Sequence, residues 1–513
     1  MITQSKKLIL TFLSMLLIAA VSLTSFISCK SGSADTSTTT GGSSGVTTVA
    51  TAATTTATTP GGAAETIVTD RNSISDNLPA NDYAGYNFKI MALQQFIGSF
   101  YTEDIIGEPI NDALYNARTN IEQRFNITMT VLPLNNTGAD AIEKKLSKAI
   151  KSGTDECDMA FGSDLYFSSL MLAGSLVDVR SLTHQDFTKP WWPQNTVDAL
   201  TFDGKMFAFS NSMTVQGMNW TSILFINKGM AQNLDLTVPY QDVFNGTWTL
   251  DKMTAMVKNV YDDVNGDSKK DGGDKYGYAF SGAYYCAYVP FGVFPVVKDG
   301  NTLKANLMTD RSQTMIDKLY DLMYGSSSGG TFYDSKEVAK ADGRGTCVDM
   351  FTSGNALITQ CYLQEARNDF RNSNVDYGIL PIPKLDESQT NYYADCYDRV
   401  GLIPITNTDL DRTSVIIEAF SAEGWKKVYP AYYDISMKNK FMSDAESEKV
   451  LDLIFASRVL DFSFCMGISY GMFVDRLFWD DPKRPSTDLA SYTAKNDGVV
   501  QTQLQKIMDE YNT

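Results

Sequence analysis

Tyr86-Asn87-Phe88-Lys89-Ile90-Met91-Ala92-Leu93 reads as a β-strand, and its surroundings decide the fold. Downstream, Pro109 stands where a first helical residue would, and Ile110, Leu114, Ala117, Ile121 and Phe125 follow at helical spacing. Ile127 to Leu134 reads as a second strand. Ile142, Leu146 and Ala149 mark a second helix that stops near Gly153. Cys157-Asp158-Met159-Ala160-Phe161 is a third short apolar run. Strand, helix, strand, helix, strand at this spacing predicts right-handed crossovers and a largely parallel sheet. The fold class is α/β.

Sheets of this kind bind ligands just beyond the carboxyl ends of their strands. The first strand leads into Gln94 and Gln95, and the third into Gly162-Ser163-Asp164-Leu165-Tyr166. The two loops are expected side by side at one sheet edge. Asp164 suits a helix N-cap or a turn equally well, because aspartate favours both.

Working outward, the first residues have the order of a secretory signal. Lys6 and Lys7 precede an apolar stretch from Leu8 to about Val21, which ends in Phe26-Ile27-Ser28-Cys29. Those four residues resemble a bacterial lipobox, although Phe26 stands where leucine is usual. The resemblance implies cleavage after residue 28 and lipid attached to Cys29. Residues 30–80 are dominated by Ser, Thr, Gly and Ala, too poor in large apolar groups to offset their ordering entropy, and are expected to be a disordered tether. No later segment is long and apolar enough to span a bilayer. The expected location is the extracellular face of the cell membrane.

The chain carries a net charge of −17, and removing residues 1–28 takes away two lysines and no acid. That balance argues against nucleic acid or an anionic lipid surface as partner, since both demand a basic patch. The body from about Asp82 to Thr513 is too long for one core and implies two lobes. Six cysteines follow Cys29, with no CxxC and no short framework spacing, so pairing is not readable.

Asp263-Val264-Asn265-Gly266-Asp267-Ser268-Lys269-Lys270-Asp271-Gly272-Gly273-Asp274 places oxygen-bearing side chains at loop positions 1, 3, 5, 9 and 12. This spacing wraps a chain around one calcium ion, with Asp263, Asn265, Asp267, the Lys269 carbonyl, Asp271 and Asp274 as ligands. Two positions depart from the pattern: Ser268 replaces the usual glycine at position 6, and Asp274 replaces glutamate at position 12. A solvated acidic hairpin is the competing reading. The calcium is expected to be structural.

Several segments resemble the family 1 extracellular solute-binding proteins of sugar ABC importers. They are Gly107-Glu108-Pro109-Ile110-Asn111-Asp112-Ala113-Leu114-Tyr115, Lys189-Pro190-Trp191-Trp192, and Phe202-Asp203-Gly204-Lys205-Met206-Phe207. Further on come Phe225-Ile226-Asn227-Lys228, Asp376-Tyr377-Gly378-Ile379-Leu380-Pro381-Ile382-Pro383-Lys384 and Tyr429-Pro430-Ala431-Tyr432-Tyr433. The resemblance implies a two-lobe periplasmic-binding-protein-like fold (class II), with mixed sheets, flanking helices and a hinge between lobes. It places residues 81–215 and 400–435 in the first lobe and 216–399 and 436–513 in the second. The first crossing is expected near Met213–Thr221, after a strand at Met206–Ser210, and the return near Cys396–Leu402.

A sugar shows apolar C–H faces and hydroxyl edges, so its site combines flat rings with side chains able to bond two hydroxyls. By resemblance the rings are Tyr284 and Tyr285 after the Tyr276–Phe280 strand, Tyr362 after the Ala356–Thr359 strand, and Trp220 near the hinge, with Arg399 on the hinge face. For each ring a place in the core competes, and for at least one of Trp191 and Trp192 packing is preferred. The single histidine, His184, reads as an exposed loop residue, and neither a nucleophile elbow nor a phosphate-cradling loop accompanies it. The expectation is a monomeric, non-enzymatic capture component that takes an oligosaccharide and hands it to the membrane permease of an ABC importer. A secreted glycan-active enzyme, or a surface carbohydrate sensor or adhesin, is the alternative.

Overall fold

The computed structural model describes residues 70–135, 138–281, 287–334, 346–441, 444–479 and 485–512. Cys29, most of the expected tether, and Tyr284 and Tyr285 lie outside the described residues. The chain divides into Met1–Thr55 and Thr56–Thr513, and every described residue belongs to the second unit.

The first strand, Tyr86–Leu93, pairs in parallel with Ile127–Leu134 over its whole length and with Met159–Ser163 at Ile90 and Met91. The helix Pro109–Phe125 buries Ile110, Leu114, Ala117, Ile121 and Phe125 on one stripe. Its N-terminus is capped by the Glu108 carboxylate, which accepts the Asn111 amide, and it ends on Asn126 in the left-handed region (φ 48°). A fourth strand, Arg399–Leu402, returns from much later in the chain and pairs antiparallel with Met159–Ser163. The sheet order is therefore 399–402, 159–163, 86–93, 127–134.

The second sheet is mixed. Ser222–Asn227 lies between Tyr377–Leu380 and Ala356–Tyr362 and is antiparallel to both. Ala356–Tyr362 runs parallel to Lys275–Ser281, which also pairs in parallel with Thr331–Asp334. The helix Leu410–Glu423 packs on Pro109–Phe125 of the first sheet, and Ala445–Ala456 packs on Tyr377–Leu380 of the second. The chain therefore visits each sheet more than once.

Three expectations need correction. The third strand begins at Met159 and extends through Ser163, because Gly162 and Ser163 are drawn into the ladder by Val400 and Arg399. Met206–Ser210 forms no strand; a single bridge joins Phe209 to Gly401, whose missing side chain leaves room for the Phe209 ring. Residues 70–80 lie against the body. The Arg71 guanidinium sits 4.5 Å from the Trp425 ring and 4.7 Å from Tyr429, and Asp76 accepts the Arg124 guanidinium. A cation–aromatic contact and an ion pair hold a segment that its composition alone would release.

Candidate ligand-binding site

The ends of the first sheet's strands converge as parallel pairing requires. Gln94 and Gln95 are exposed on a short 3-10 turn that directly follows Leu93. Ser163 closes the third strand; Asp164 beyond it is 6 % exposed and Tyr166 is 39 % exposed. Arg399 opens the antiparallel strand directly opposite Ser163.

The chain crosses between the sheets beside this edge. Val215 donates its amide to the Ser99 carbonyl (2.9 Å), and a short helix, Gln216–Asn219, leads to Trp220. On the far side the Leu363 amide donates to Thr221 O (2.9 Å) and the Gln364 amide to Asn219 O (3.1 Å), so the end of Ala356–Tyr362 meets the same segment. The returning chain lies alongside: Thr221 bridges Cys396, and the Tyr397 amide donates to Trp220 O (3.3 Å).

Aromatic rings follow these crossings from one sheet to the other. Phe96 meets Trp220 edge-on at 5.1 Å, and Trp220 lies nearly parallel to Tyr362 at 6.1 Å. Tyr362 in turn contacts Tyr397 at 6.0 Å. Phe96, Trp220 and Tyr362 are only partly buried. The Arg399 guanidinium lies 4.2 Å from the Phe96 ring and 5.6 Å from Trp220.

Charge is concentrated beneath the rings. Asp164 Oδ2 accepts the Asp398 amide (2.9 Å), Asp398 Oδ1 accepts the Arg399 amide (2.7 Å), and Ser210 Oγ donates to Asp398 Oδ2. From the helix Ala141–Lys151, Glu143 Oε1 accepts the Ser163 amide (2.6 Å). Burial pushes the Asp164 carboxyl up to about 6, opposed by three backbone amides and the nearby Arg399 charge. Burial likewise pushes Asp398 and Glu143 up to about 7, and lowers Arg399.

Of the residues expected from sequence, Gln94, Gln95, Ser163, Asp164, Tyr166, Trp220, Tyr362 and Arg399 are distributed along this one junction. Phe96, Glu143, Tyr397 and Asp398 belong to it and were not foreseen. Phe96 adjoins Gln95 and Asp398 adjoins Arg399, which is the one signal the sequence offered. Glu143 offered none.

Trp191 and Trp192 are core residues: both are essentially buried, and their indole N–H groups donate to the two oxygens of buried Glu418 at 2.7 and 2.8 Å. His184 is less exposed than expected. Its Nε2 lies 3.0 Å from Asp411 and its amide donates to Ser414 Oγ, pinning the loop to the helix Leu410–Glu423. The Ser414 hydroxyl is itself donated to Gln185 Oε1, away from the imidazole, so the three side chains do not form a nucleophile–base pair.

In the 263–274 loop the oxygens turn to the loop's own backbone. Asp263 accepts the amides of Gly266 (2.8 Å) and Ser268 (2.9 Å), Asn265 that of Asp267, and Asp267 that of Lys269. Asp271 accepts the Gly273 amide, and Asp274 accepts the Tyr261 hydroxyl (3.1 Å). Ser268 takes the left-handed conformation (φ 62°) that glycine usually supplies, and Gly266 does so as well (φ 71°). Asp274 is fully buried, and its Oδ1 has no hydrogen-bond partner among the described residues. The donors suit calcium in kind, but among the described residues no three acidic, thiol or imidazole side chains meet at one point. Five of the cysteines, Cys157, Cys347, Cys361, Cys396 and Cys465, are buried free thiols.

No protein-family model and no curated protein matches the chain in sequence. Solved structures do share its fold. The galacto-N-biose/lacto-N-biose I-binding protein of an ABC transporter from Bifidobacterium longum, in complex with lacto-N-biose, superposes with a TM-score of 0.56 at 13% identity, over 83% of this chain and 99% of that one. Maltose-bound MalE3 of T. maritima gives 0.50 at 11% identity, over 83% and 99%. UgpB of Mycobacterium tuberculosis in complex with glycerophosphocholine gives 0.50 at 14%, over 84% and 99%. The fold is the two-lobe binding-protein fold, with mixed sheets and flanking helices.

Proposed function

We propose that this chain is the extracellular substrate-binding component of an ABC importer and that it captures an oligosaccharide by closing its two lobes. The observation that carries the reading is the row of partly buried rings, Phe96, Trp220 and Tyr362, running across the crossing segments with Asp164 and Arg399 close by. Rings offer sugar C–H faces a flat apolar surface, and the buried polar groups orient hydroxyls. The fold it shares with a lacto-N-biose-binding protein and a maltose-bound protein supports the same reading. Ligand binds at one sheet edge, the crossings near 213–221 and 396–399 turn, and the second lobe covers it. The closed form holds ligand more tightly and is what the permease subunits read.

In this reading the lobes comprise 81–215 with 400–435 and 216–399 with 436–513, and the protein works as a monomer without catalysis. Cys29 carries a lipid that holds it at the extracellular face of the membrane. Asp263, Asn265, Asp267, the Lys269 carbonyl, Asp271 and Asp274 hold one structural calcium, supported by their hard-oxygen chemistry and the unpartnered Asp274 Oδ1.

The test is thermal unfolding of the purified protein with lacto-N-biose, maltose, xylo- and galacto-oligosaccharides and glycerophosphocholine, followed by chromatography of each compound. A rise in Tm with one sugar family, recovered intact, is the expected result. A rise with glycerophosphocholine alone overturns the sugar assignment, and cleavage of a glycan overturns the binding-only assignment.

A further inference from the structure

Gln360 and Cys361 are neighbours in the strand Ala356–Tyr362 and therefore point to opposite faces of it. On one face the Tyr278 hydroxyl donates to Gln360 Oε1 (2.7 Å). On the other, Thr359 Oγ1 lies 3.6 Å from Cys361 Sγ. The helix Thr346–Thr352 packs against this strand, and a ring contact fixes its register. Phe351 meets Phe225 at 6.2 Å, and Phe225 is the cross-strand partner of Thr359. Cross-strand partners share a face, so the helix covers the side that carries Thr359 and Cys361.

From Phe351, one turn back along the helix leads to Cys347, on the same stripe and about 6 Å away. From Thr359, two residues onward along the strand lead to Cys361, roughly 6.6 Å away. Helix and strand are joined by a tight turn at Gly354 (φ 77°), and both steps lead away from it. The two spacings match, so Cys347 arrives over Cys361, and the two thiols share a side-chain hydrogen bond. Both residues are buried, at 1 % exposure. Cys396, by contrast, spends its thiol proton on the Val459 carbonyl (3.6 Å).

We propose that Cys347 and Cys361, thiols in this structure, form a disulfide that fastens the helix Thr346–Thr352 to the strand presenting Tyr362. Each thiol gives up its proton, and together they pass two electrons to the disulfide of a small-molecule or protein oxidant, which leaves as two thiols while one S–S bond forms. Burial holds the folded Cys361 thiol well above its ordinary range, so the exchange belongs to the folding chain, before the helix covers the strand. The pairing depends on the proposed extracellular placement only for its oxidising surroundings. The juxtaposition of the sulfurs stands without it.

The test supplies the oxidant itself, so a wrong extracellular placement would not alter its outcome. The purified full chain is unfolded in urea and refolded by dilution into glutathione disulfide and glutathione at several ratios. It is then quenched in acid, labelled with N-ethylmaleimide and digested with trypsin without reduction. Both cysteines fall in one peptide, Gly345 to Arg367. The expected product in oxidising buffer is this peptide without maleimide and two hydrogens lighter than the dithiol. The bond closes a loop of about fifteen residues, and its reduction should lower Tm by roughly 5 °C. Cys347→Ala should melt at the same temperature in both buffers. Two maleimides on the peptide at every ratio overturn the proposal, as does a cross-link from either cysteine to Cys286 or any other. A Tm that does not change on reduction, with the bond present beforehand, overturns its role as a fastener.

Discussion

Trp220 and Glu418 show how differently two polar-aromatic sites work at the scale of a residue. Trp220 is partly buried and touches Phe96, Tyr362 and Arg399, and in the proposed function its ring is the platform for the sugar. Trp220→Ala should weaken binding of the sugar that stabilises the protein by roughly tenfold while leaving the fold intact. Calorimetric titration checks this, and unchanged affinity would move the site elsewhere. Glu418 is fully buried and serves structure alone, joining two indole N–H groups from one loop to the helix Leu410–Glu423. Burial raises its carboxyl to about 7, against the pull of those two donors. A carboxyl raised on folding contributes stability that is complete below the unfolded value of about 4.3 and is lost as pH climbs through 7. Glu418→Gln keeps one acceptor and turns an N–H toward the other indole, for a loss of about 1–3 kcal/mol. Urea unfolding should show that loss largest near pH 5 and smallest near pH 8, because only the wild type titrates.

At the scale of elements, the helix Gln194–Leu200 is tied to the hairpin at Val296–Asp299 by one ammonium group. Lys298 Nζ donates to the carbonyls of Asp198, Ala199 and Thr201 at 2.6–2.8 Å and lies 4.5 Å from the Phe462 ring. It completes carbonyls that a helix C-terminus leaves without partners. Lys298→Met should therefore cost about 2–3 kcal/mol in chemical denaturation, since the methylenes stay and the donors go. The 263–274 loop makes a parallel case. Calcium at a hundredfold excess over its Kd should add about 3 kcal/mol, EDTA should remove it, and Asp263→Ala should abolish the response. A melting temperature indifferent to both reagents would leave an acidic hairpin. These elements also mark what the sequence disclosed. The helix Pro109–Phe125 was legible because proline at its start and a helical apolar stripe agree. The strand Arg399–Leu402 has no local signal that assigns it to a sheet some 240 residues upstream by sequence, which is why only the family resemblance placed the return there. That the 94–95 and 163–166 loops lie at one edge was legible because parallel strands deliver their ends to the same side. Glu143 was invisible because a helix stripe gives no hint that an acid on it reaches the Ser163 amide.

For the whole molecule, the sequence and the fold assign different parts of the chain to different tasks. The body from Asp70 onward is anchored to itself by Arg71 on Trp425 and Tyr429 and by Asp76 on Arg124, so the segment available as a spacer ends before residue 70. The whole chain's net charge of −17 disfavours an anionic lipid surface, so the membrane attachment proposed here would rest on a covalent group. The proposed lipid on Cys29 supplies that group, and one acyl pair gives stable anchoring where a single chain does not. Cys29→Ser should therefore shift the protein from the membrane fraction to the medium while leaving the purified body's melting temperature and sugar affinity unchanged. Fractionation with metabolic lipid labelling reads both halves of this prediction. Retention of the variant in the membrane fraction without label would mean that something other than Cys29 holds it there. Release accompanied by loss of sugar binding would mean that the spacer does more than join two parts.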